Sequence, residues 1–348
     1  MLHTRPIAFG VEMPVIAMGT PHSATSICCG GGALPVNHTC CDAAMRDAAL
    51  LWWATGGVAV ETSMAYGTGI GLGQALTESR LPRESVFIHG KVQCRATATA
   101  VMALIHEHLA EIGIRYFDLL TIHYPAGVPA RGVPSCGGAN LSSTWGAFEA
   151  ARAAGLTRAI GSSGFNVSWL SSLFALGGPP PAYNQYAMEV AASPSDLQHV
   201  LTFCRSHNVS VGGFSSLSHD CLGLLAVASV AAAHNRTTAD VCLRWVTQQG
   251  AHAVVSSTRA GYDTDDLRST SFSLTADDMR LLSSLSPSLP YPRRLWGRPW
   301  RQGTSGRRRF PSPPSPPPQP TTAAASAEVP QLDDFGCPTN RGSHSCDV

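Results

Sequence analysis

The chain has 348 residues, of which 44% are hydrophobic and 14% are charged, so it can bury the core of a large globular domain. Its formal net charge is +1, so bulk electrostatics give no reason to expect nucleic acid as a partner. No apolar run approaches the roughly 20 residues that cross a bilayer, and the first residues lack the apolar region of a signal peptide. We therefore expect no membrane partner and a cytoplasmic location.

Short apolar segments alternate along the chain with longer amphipathic ones. In chain order, the predicted strands are residues 15–18, 58–60, 86–90, 117–122, 158–161, 182–185, 209–214 and 253–255. The predicted helices are residues 42–54, 72–79, 98–111, 144–154, 168–176, 195–206 and 238–249. Strands that alternate with helices in this way predict a parallel sheet whose outer face is covered by the helices.

An open doubly wound sheet and a closed barrel both fit such alternation. Eight strands spread over about 250 residues favour the α/β class and, within it, the (β/α)8 or TIM barrel. An open dinucleotide-binding sheet would carry G-x-G-x-x-G directly after its first strand, and the GTGIG run at residues 67–71 lacks that spacing. The sequence therefore predicts a parallel eight-stranded barrel over residues 1–290.

The composition changes after residue 290, where first Arg and Pro and then Pro and Ser dominate. Such a segment buries too little apolar surface to offset the entropy lost on ordering it. We therefore predict that residues 291–348 form a disordered tail.

The chain contains 11 cysteines, an odd number with scattered spacing that does not resemble a disulfide framework. Two pairs are adjacent in sequence, Cys28-Cys29 and Cys40-Cys41. Zinc ligands are usually two to four residues apart, so these pairs match a zinc site poorly. We expect reduced thiols here and no bound metal.

Polar side chains follow three neighbouring predicted strands at their carboxyl ends. Glu61 and Tyr66 follow the second strand, Lys91 follows the third, and His123 follows the fourth. The carboxyl ends of the strands in a parallel barrel form one rim, and catalytic groups gather there. Each residue alone also has an ordinary structural explanation, but together they predict a site at one mouth of the barrel.

This set of side chains suits the reduction of a carbonyl group, which needs a proton for the developing alkoxide. A free tyrosine has a pKa near 10 and is a weak acid at neutral pH, and a nearby ammonium lowers that pKa. Lys91 would act on Tyr66 in this way, with Glu61 keeping the lysine charged and in place. His123 would hydrogen bond the substrate oxygen and orient it.

Several segments carry the order and spacing of a known family. They are MPVIAMGT from Met13, VETSMAYG from Val60, FIHGKV from Phe87, YFDLLTIHYP from Tyr116, AIGSSGF from Ala159, Asn184-Gln185, FSSL from Phe214 and VCLRW from Val241. In these segments the chain resembles the aldo-keto reductase superfamily, from about Ile7 to Leu285. The resemblance implies a barrel that uses NADPH to reduce an aldehyde or ketone, with this small-molecule carbonyl compound as its partner.

The resemblance also implies individual roles. Tyr66 would donate the proton, Lys91 would modulate the pKa of Tyr66, and His123 would orient the substrate. Glu61 would be the partner of the lysine. Ser163 and Gln185 would hold the nicotinamide carboxamide, and Phe214 would stack on the ring. The full implied cofactor set is Gly19, Thr20, Ser163, Gln185, Phe214, Ser215, Leu217, Ser257 and Arg259.

One departure from the family pattern concerns the carboxylate of the site. Glu61 stands where the family has Asp, and its extra methylene shifts the carboxylate by about 1.5 Å, one C–C bond. Misplacements near 1 Å cost on the order of a hundredfold in rate. The sequence therefore predicts a working but slow site that Glu61→Asp would accelerate.

Other departures concern the cofactor. Gly164 replaces an amide-binding asparagine, and Tyr262 and Asp266 replace an arginine and an asparagine near the 2′-phosphate. A carboxylate there favours a 2′-hydroxyl, whereas Arg259 offers a cation for a phosphate. We expect NADPH, with NADH as the alternative. A barrel that has lost activity and serves as a binding or regulatory subunit is the second function left open.

Overall fold

The computed structural model describes residues 3–20, 38–125, 140–191, 193, 195–217, 219–256 and 259–285. All of them belong to one structural unit, Met1–Pro299. Three sequence predictions lie outside the described residues: the disordered tail at residues 291–348, the Cys28-Cys29 pair, and the cofactor role of Ser257.

Eight parallel strands close into a barrel in the order β10-β3-β4-β5-β6-β7-β8-β9, which confirms the predicted fold. The strands are β1 (Thr4–Ala8), β2 (Val11–Pro14), β3 (Ile16–Met18), β4 (Ala59–Glu61), β5 (Phe87–Val92), β6 (Phe117–Ile122), β7 (Thr157–Ser163), β8 (Tyr183–Ala187), β9 (Ser210–Phe214) and β10 (His252–Val255). Every residue of β5, β6 and β8 is buried, as expected of strands that helices cover outside and side chains fill inside.

Helices surround the barrel. They are α1 (His38–Ala54), α2 (Gly69–Ser79), α3 (Ala98–Ile112), α4 (Leu141–Ala153), α5 (Val167–Phe174), α6 (Leu197–Ser206), α7 (His219–Gly223), α8 (Leu225–Ala233), α9 (Thr238–Gln248), α10 (Ala260–Arg268) and α11 (Ala276–Ser284). Local sequence fixes several ends. The Thr97 hydroxyl accepts a hydrogen bond from the Ala100 amide at the start of α3, and Gly113 ends that helix with a φ of 75°.

An antiparallel hairpin that the sequence analysis did not predict precedes the barrel. Strands β1 and β2 form it, and Arg5 anchors it by donating to the carbonyl oxygens of Thr247 and Ala251 at 2.8 and 2.7 Å. The hairpin residue Met13 packs in one apolar cluster with Ala59 and Phe87, the first residues of two barrel strands. The hairpin therefore closes the amino-terminal end of the barrel, opposite the predicted site.

The structure contains disulfides and helices that the sequence analysis did not predict. Cys221 of α7 and Cys242 of α9 form a disulfide, and Cys41 is also disulfide-bonded, so the expectation of a reduced thiol at Cys41 was wrong. The fold brings Cys221 and Cys242 together across 21 residues of sequence, a pairing that spacing alone does not reveal. Helices α7, α8, α10 and α11 were also not predicted. None of the described helices is long and apolar enough to span a membrane.

Candidate active site

The four side chains predicted from the strand ends meet at one mouth of the barrel. Lys91 Nζ lies 2.5 Å from Glu61 Oε1, and the Tyr66 hydroxyl lies 3.2 Å from His123 Nε2. The Lys91 ammonium is 5.2 Å from the centre of the Tyr66 ring. Glu61, Lys91 and His123 are buried, whereas Tyr66 is half-buried at the edge of the group. A phenol, an ammonium and an imidazole therefore face one another, as the sequence predicted.

A single tight turn places Tyr66 over the other three residues. A short 3-10 helix, Met64–Tyr66, follows β4, and the Ser63 hydroxyl caps it by accepting from the Ala65 amide at 3.2 Å. Gly67 ends this turn with a φ of 62°, a backbone conformation that favours glycine. The turn folds the chain back across the rim, so that Tyr66, five residues beyond Glu61, returns to the same pocket.

The buried ion pair keeps both of its members charged. Burial raises the pKa of Glu61, but the Lys91 ammonium, His89 and the hydrogen bonds from Lys91 and Gln185 bring it below its ordinary value. Burial lowers the pKa of Lys91, but Glu61 and Tyr66 raise it by a larger amount. The pKa of Lys91 therefore lies above its ordinary value. At neutral pH the site therefore holds one carboxylate and one ammonium in direct contact.

Tyr66 and His123 are both neutral at ordinary pH. Burial raises the pKa of Tyr66, and the lowering effect of Lys91 does not overcome it, so the pKa lies above its usual 10. Lys91 does lower the pKa of Tyr66, the effect that the sequence predicted, but burial disfavours the phenolate more than the ammonium favours it, so the net shift is upward. Burial, followed by the charge of Lys91, holds the pKa of His123 well below 6.5.

Ser163 and Gln185, predicted to hold the nicotinamide, lie directly beside the ion pair. They face each other across β7 and β8, and the Ser163 hydroxyl donates to Gln185 Oε1 at 3.3 Å. The same Oε1 is 3.4 Å from Lys91 Nζ, and Gln185 Nε2 donates to Glu61 Oε2. The longer carboxylate of Glu61 thus engages Gln185 as well as Lys91, a contact that the sequence did not predict.

Gly19 and Thr20, also predicted for the cofactor, lie at the end of β3 next to Glu61. The Thr20 hydroxyl donates to the Glu61 carbonyl oxygen at 3.4 Å. A Cβ at position 19 would lie 2.8 Å from Val254 Cγ1, so this close approach of β3 to β10 requires glycine. The structure therefore brings both residues to the rim that holds the ion pair.

The remaining predicted cofactor residues lie along the chain after β9 and β10. Phe214 ends β9 half-buried, and Ser215 follows it with a φ of 61°. Leu217 packs against the hydrophobic core. Arg259 is exposed at the start of α10, with its guanidinium carbon 5.5 Å from the centre of the Tyr262 ring.

Two buried residues of the site were missed in the sequence. His89 Nδ1 lies 3.6 Å from Glu61 Oε2, and burial lowers the pKa of His89 to about 3. Ser63 Oγ lies 2.9 Å from His123 Nδ1. A usable signal was present for His89, because it lies two residues before Lys91 and alternate residues of a strand face the same side.

The residues beside the ion pair fit a nicotinamide carboxamide. An amide needs a donor for its oxygen and an acceptor for its NH2 group, and the Ser163 hydroxyl and the Gln185 carbonyl oxygen, which hydrogen bond each other here, would serve these roles on giving up that bond. Phe214 adds an aromatic ring to the same rim, two strands from Ser163. The residues at this rim are therefore compatible with a flat amide-bearing ring beside the phenol of Tyr66.

Comparison with known proteins agrees with this geometry. A sequence model of the Aldo/keto reductase family matches residues 51–287. NADPH-dependent codeinone reductase 1-4 of Papaver somniferum is 29% identical over 248 residues, 66% of this chain and 76% of that protein. An aldo-keto reductase of Mycobacterium sp. (strain MCS) is 29% identical over 288 residues, 82% of this chain and 94% of that protein. The crystal structure of an aldo/keto reductase from Brucella melitensis superimposes with a TM-score of 0.68 at 21% identity, over 82% of this chain and all of that one.

Proposed function

The chain belongs to the aldo/keto reductase family, and we propose that it reduces an aldehyde or a ketone to an alcohol with a nicotinamide cofactor and with Tyr66 as the proton donor. The family and its NADPH-dependent relatives support an oxidoreductase activity. The observation that carries the finer proposal is the neutral phenol of Tyr66 placed between the Lys91 ammonium and the His123 imidazole. A substrate oxygen at that point would meet an acid and a positive charge together.

When bound, the cofactor would supply the hydride. Ser163 and Gln185 would hold its carboxamide, and Phe214 would cover one face of its ring. The chain's own task is to deliver a proton to the substrate oxygen. Tyr66 would give up its hydroxyl proton, and the Lys91 ammonium would stabilise the phenolate that remains. Glu61 would keep that ammonium charged and fixed during the transfer.

NADPH is the proposed cofactor, with NADH as the alternative. The relatives include NADPH-dependent codeinone reductase 1-4, which supports the first choice. The exposed cation of Arg259 at the start of α10 is also suited to a phosphate group. Tyr262, which stands where the family has an arginine for the 2′-phosphate, supports the alternative, because one cation for that phosphate is missing there.

Substitution of Tyr66 by phenylalanine tests the proposal, because Phe removes only the hydroxyl. We expect the turnover number for aldehyde reduction to fall by about 10²- to 10⁴-fold, the usual contribution of a positioned general acid. Cofactor binding, followed by quenching of protein fluorescence with NADPH and with NADH, should stay within about twofold, since the cofactor residues are unchanged.

Two results would contradict this assignment. Wild-type turnover in Tyr66→Phe would show that another group supplies the proton. Tight cofactor binding by the wild-type protein with no turnover across a broad set of aldehydes and ketones would favour the binding or regulatory barrel instead.

A further inference from the structure

Ser63 occupies a position in the site that none of the roles above explains. It is fully buried, between β4 and the turn that carries Tyr66. Its hydroxyl oxygen has three neighbours at hydrogen-bonding distance: the Lys91 carbonyl oxygen at 3.1 Å, His123 Nδ1 at 2.9 Å and the Ala65 amide nitrogen at 3.2 Å. One serine therefore contacts the backbone of the lysine strand and the side chain of His123.

The donors and acceptors around this hydroxyl satisfy one another in only one arrangement. A serine hydroxyl has one proton to donate and two lone pairs to accept with. The Ala65 amide can only donate, so it occupies one lone pair. The Lys91 carbonyl oxygen can only accept, so it takes the proton. The second lone pair then remains for His123 Nδ1, which must carry a hydrogen to make its 2.9 Å contact.

The opposite arrangement leaves a buried group without its partner. If Ser63 donated to His123 Nδ1 instead, the Lys91 carbonyl oxygen would lose its hydrogen bond from the Ser63 hydroxyl. The neighbouring strand β4 has already ended at Glu61, before this level of the barrel. A buried polar atom left without a hydrogen bond costs more than a typical hydrogen bond gains. Burial and the Lys91 charge also keep the pKa of His123 well below 6.5, so the ring carries a single proton. If that proton is on Nδ1, Nε2 has a free lone pair.

We propose that Ser63 is a positioning residue that holds His123 as the Nδ1–H tautomer, so that His123 Nε2 accepts a hydrogen bond from the Tyr66 hydroxyl. The Tyr66 oxygen lies 3.2 Å from Nε2, within reach of such a bond. The hydrogen bonds then run in one direction. Tyr66 donates to His123, His123 donates to Ser63, and Ser63 donates to the Lys91 carbonyl oxygen.

This assignment changes the expected part of His123 in catalysis, a consequence that rests on the proposed function. An Nε2 without hydrogen cannot donate to a substrate oxygen, and the single hydroxyl proton of Tyr66 goes to Nε2 in the free protein, so a bound carbonyl oxygen takes that hydrogen bond over from His123. His123 thus fixes the hydroxyl of Tyr66 in the free protein and releases its proton to the substrate oxygen that replaces this contact. When transfer occurs, the proton moves from Tyr66 to the alkoxide, the phenolate stays beside Lys91, and His123 remains neutral.

The tautomer can be read directly in the intact protein without any turnover assay. With ¹⁵N-labelled histidine, long-range proton–nitrogen correlation distinguishes a protonated ring nitrogen from an unprotonated one, and His123→Gln identifies the signals of His123. We expect the wild-type protein to show hydrogen on Nδ1 and none on Nε2. In Ser63→Ala the acceptor for Nδ1 is lost, so the signals should move toward the Nε2–H form.

Two variants separate positioning from general packing. Ser63→Thr keeps the hydroxyl and should retain the wild-type tautomer. Thr62→Val removes a neighbouring buried hydroxyl that contacts Thr68 at 3.2 Å rather than His123, and it should leave the tautomer unchanged. For an active enzyme, Ser63→Ala should lower the turnover number roughly three- to tenfold, the effect of about one hydrogen bond, with little change in cofactor binding.

Two results would overturn the proposal: hydrogen on His123 Nε2 in the wild-type protein, or an unchanged tautomer in Ser63→Ala. If Ser63→Ala does not fold, the wild-type spectrum still decides. A protein that shows the Nδ1–H form but reduces no carbonyl compound would keep this inference and contradict only the proposed function.

Discussion

Removal of one methylene from Glu61 probes the buried ion pair at the centre of the site. Glu61 Oε1 lies 2.5 Å from Lys91 Nζ, and the other carboxylate oxygen accepts from Gln185. In Glu61→Asp the carboxylate withdraws by about 1.5 Å, which lengthens the 2.5 Å contact to about 4 Å if nothing else moves. A hydrogen bond to a charged group contributes about 1.5–3 kcal/mol, so we expect the free energy of unfolding to fall by about 2 kcal/mol.

The turnover number should fall in the same variant, by about tenfold or more, because Lys91 loses the contact that fixes it beside Tyr66. This reverses the expectation drawn from the family pattern, in which aspartate at this position would be faster. In this barrel the longer side chain already contacts both Lys91 and Gln185, so shortening it breaks contacts rather than correcting them.

Urea denaturation and steady-state kinetics measure the two effects. Glu61→Gln is the matched comparison, because it keeps the length and removes the charge. Its free energy of unfolding should be lower than that of Glu61→Asp. Relative to wild type the loss should reach about 3–5 kcal/mol, because the buried Lys91 is left without a counter-charge. If Glu61→Asp were as stable as wild type and equally fast or faster, the reasoning from these contacts would be refuted.

Two further predictions concern pH. The turnover number should be nearly constant from about pH 7 to 9, because burial keeps the pKa of Tyr66 above 10 and that of His123 well below 6.5; a pH–rate profile with an inflection near pH 7 would contradict this. Asp266 has its pKa raised from 3.8 to about 8 by burial and by the nearby carboxylates of Asp263, Asp240 and Asp265. The unfolded chain therefore releases this proton at lower pH than the folded chain, and wild-type stability should decline as pH rises from about 4 to 8. At pH 8 the free energy of unfolding of Asp266→Asn should exceed that of wild type by about 2–5 kcal/mol, at about 1.36 kcal/mol per pKa unit and allowing for relaxation. At pH 4 the two values should be nearly equal. Equal stability of the two proteins in urea at pH 8 would count against the shift.

Strands such as β5 and β6 were predictable because each is a short run buried on both faces, which apolar residues mark in the sequence. The unpredicted elements lack such a mark. Helix α8 is apolar on every side, so it shows no amphipathic period, and α10 is mostly polar. The hairpin of β1 and β2 depends on long-range contacts from Arg5 to the carbonyl groups of Ala251 and Thr247.

The sequence by itself determined which chemical groups reach the rim, because the position of a residue after a barrel strand fixes where it lies. Tyr66, Lys91 and His123 could be assigned to one mouth on that basis. The tertiary structure decided how those groups behave. The direction of the pKa shift of Tyr66, the contact of Glu61 with Gln185 and the bond between Ser63 and His123 depend on burial and on distances across strands. Charge stabilisation and hydrogen bonding act through space, so their balance is set only when the chain has folded.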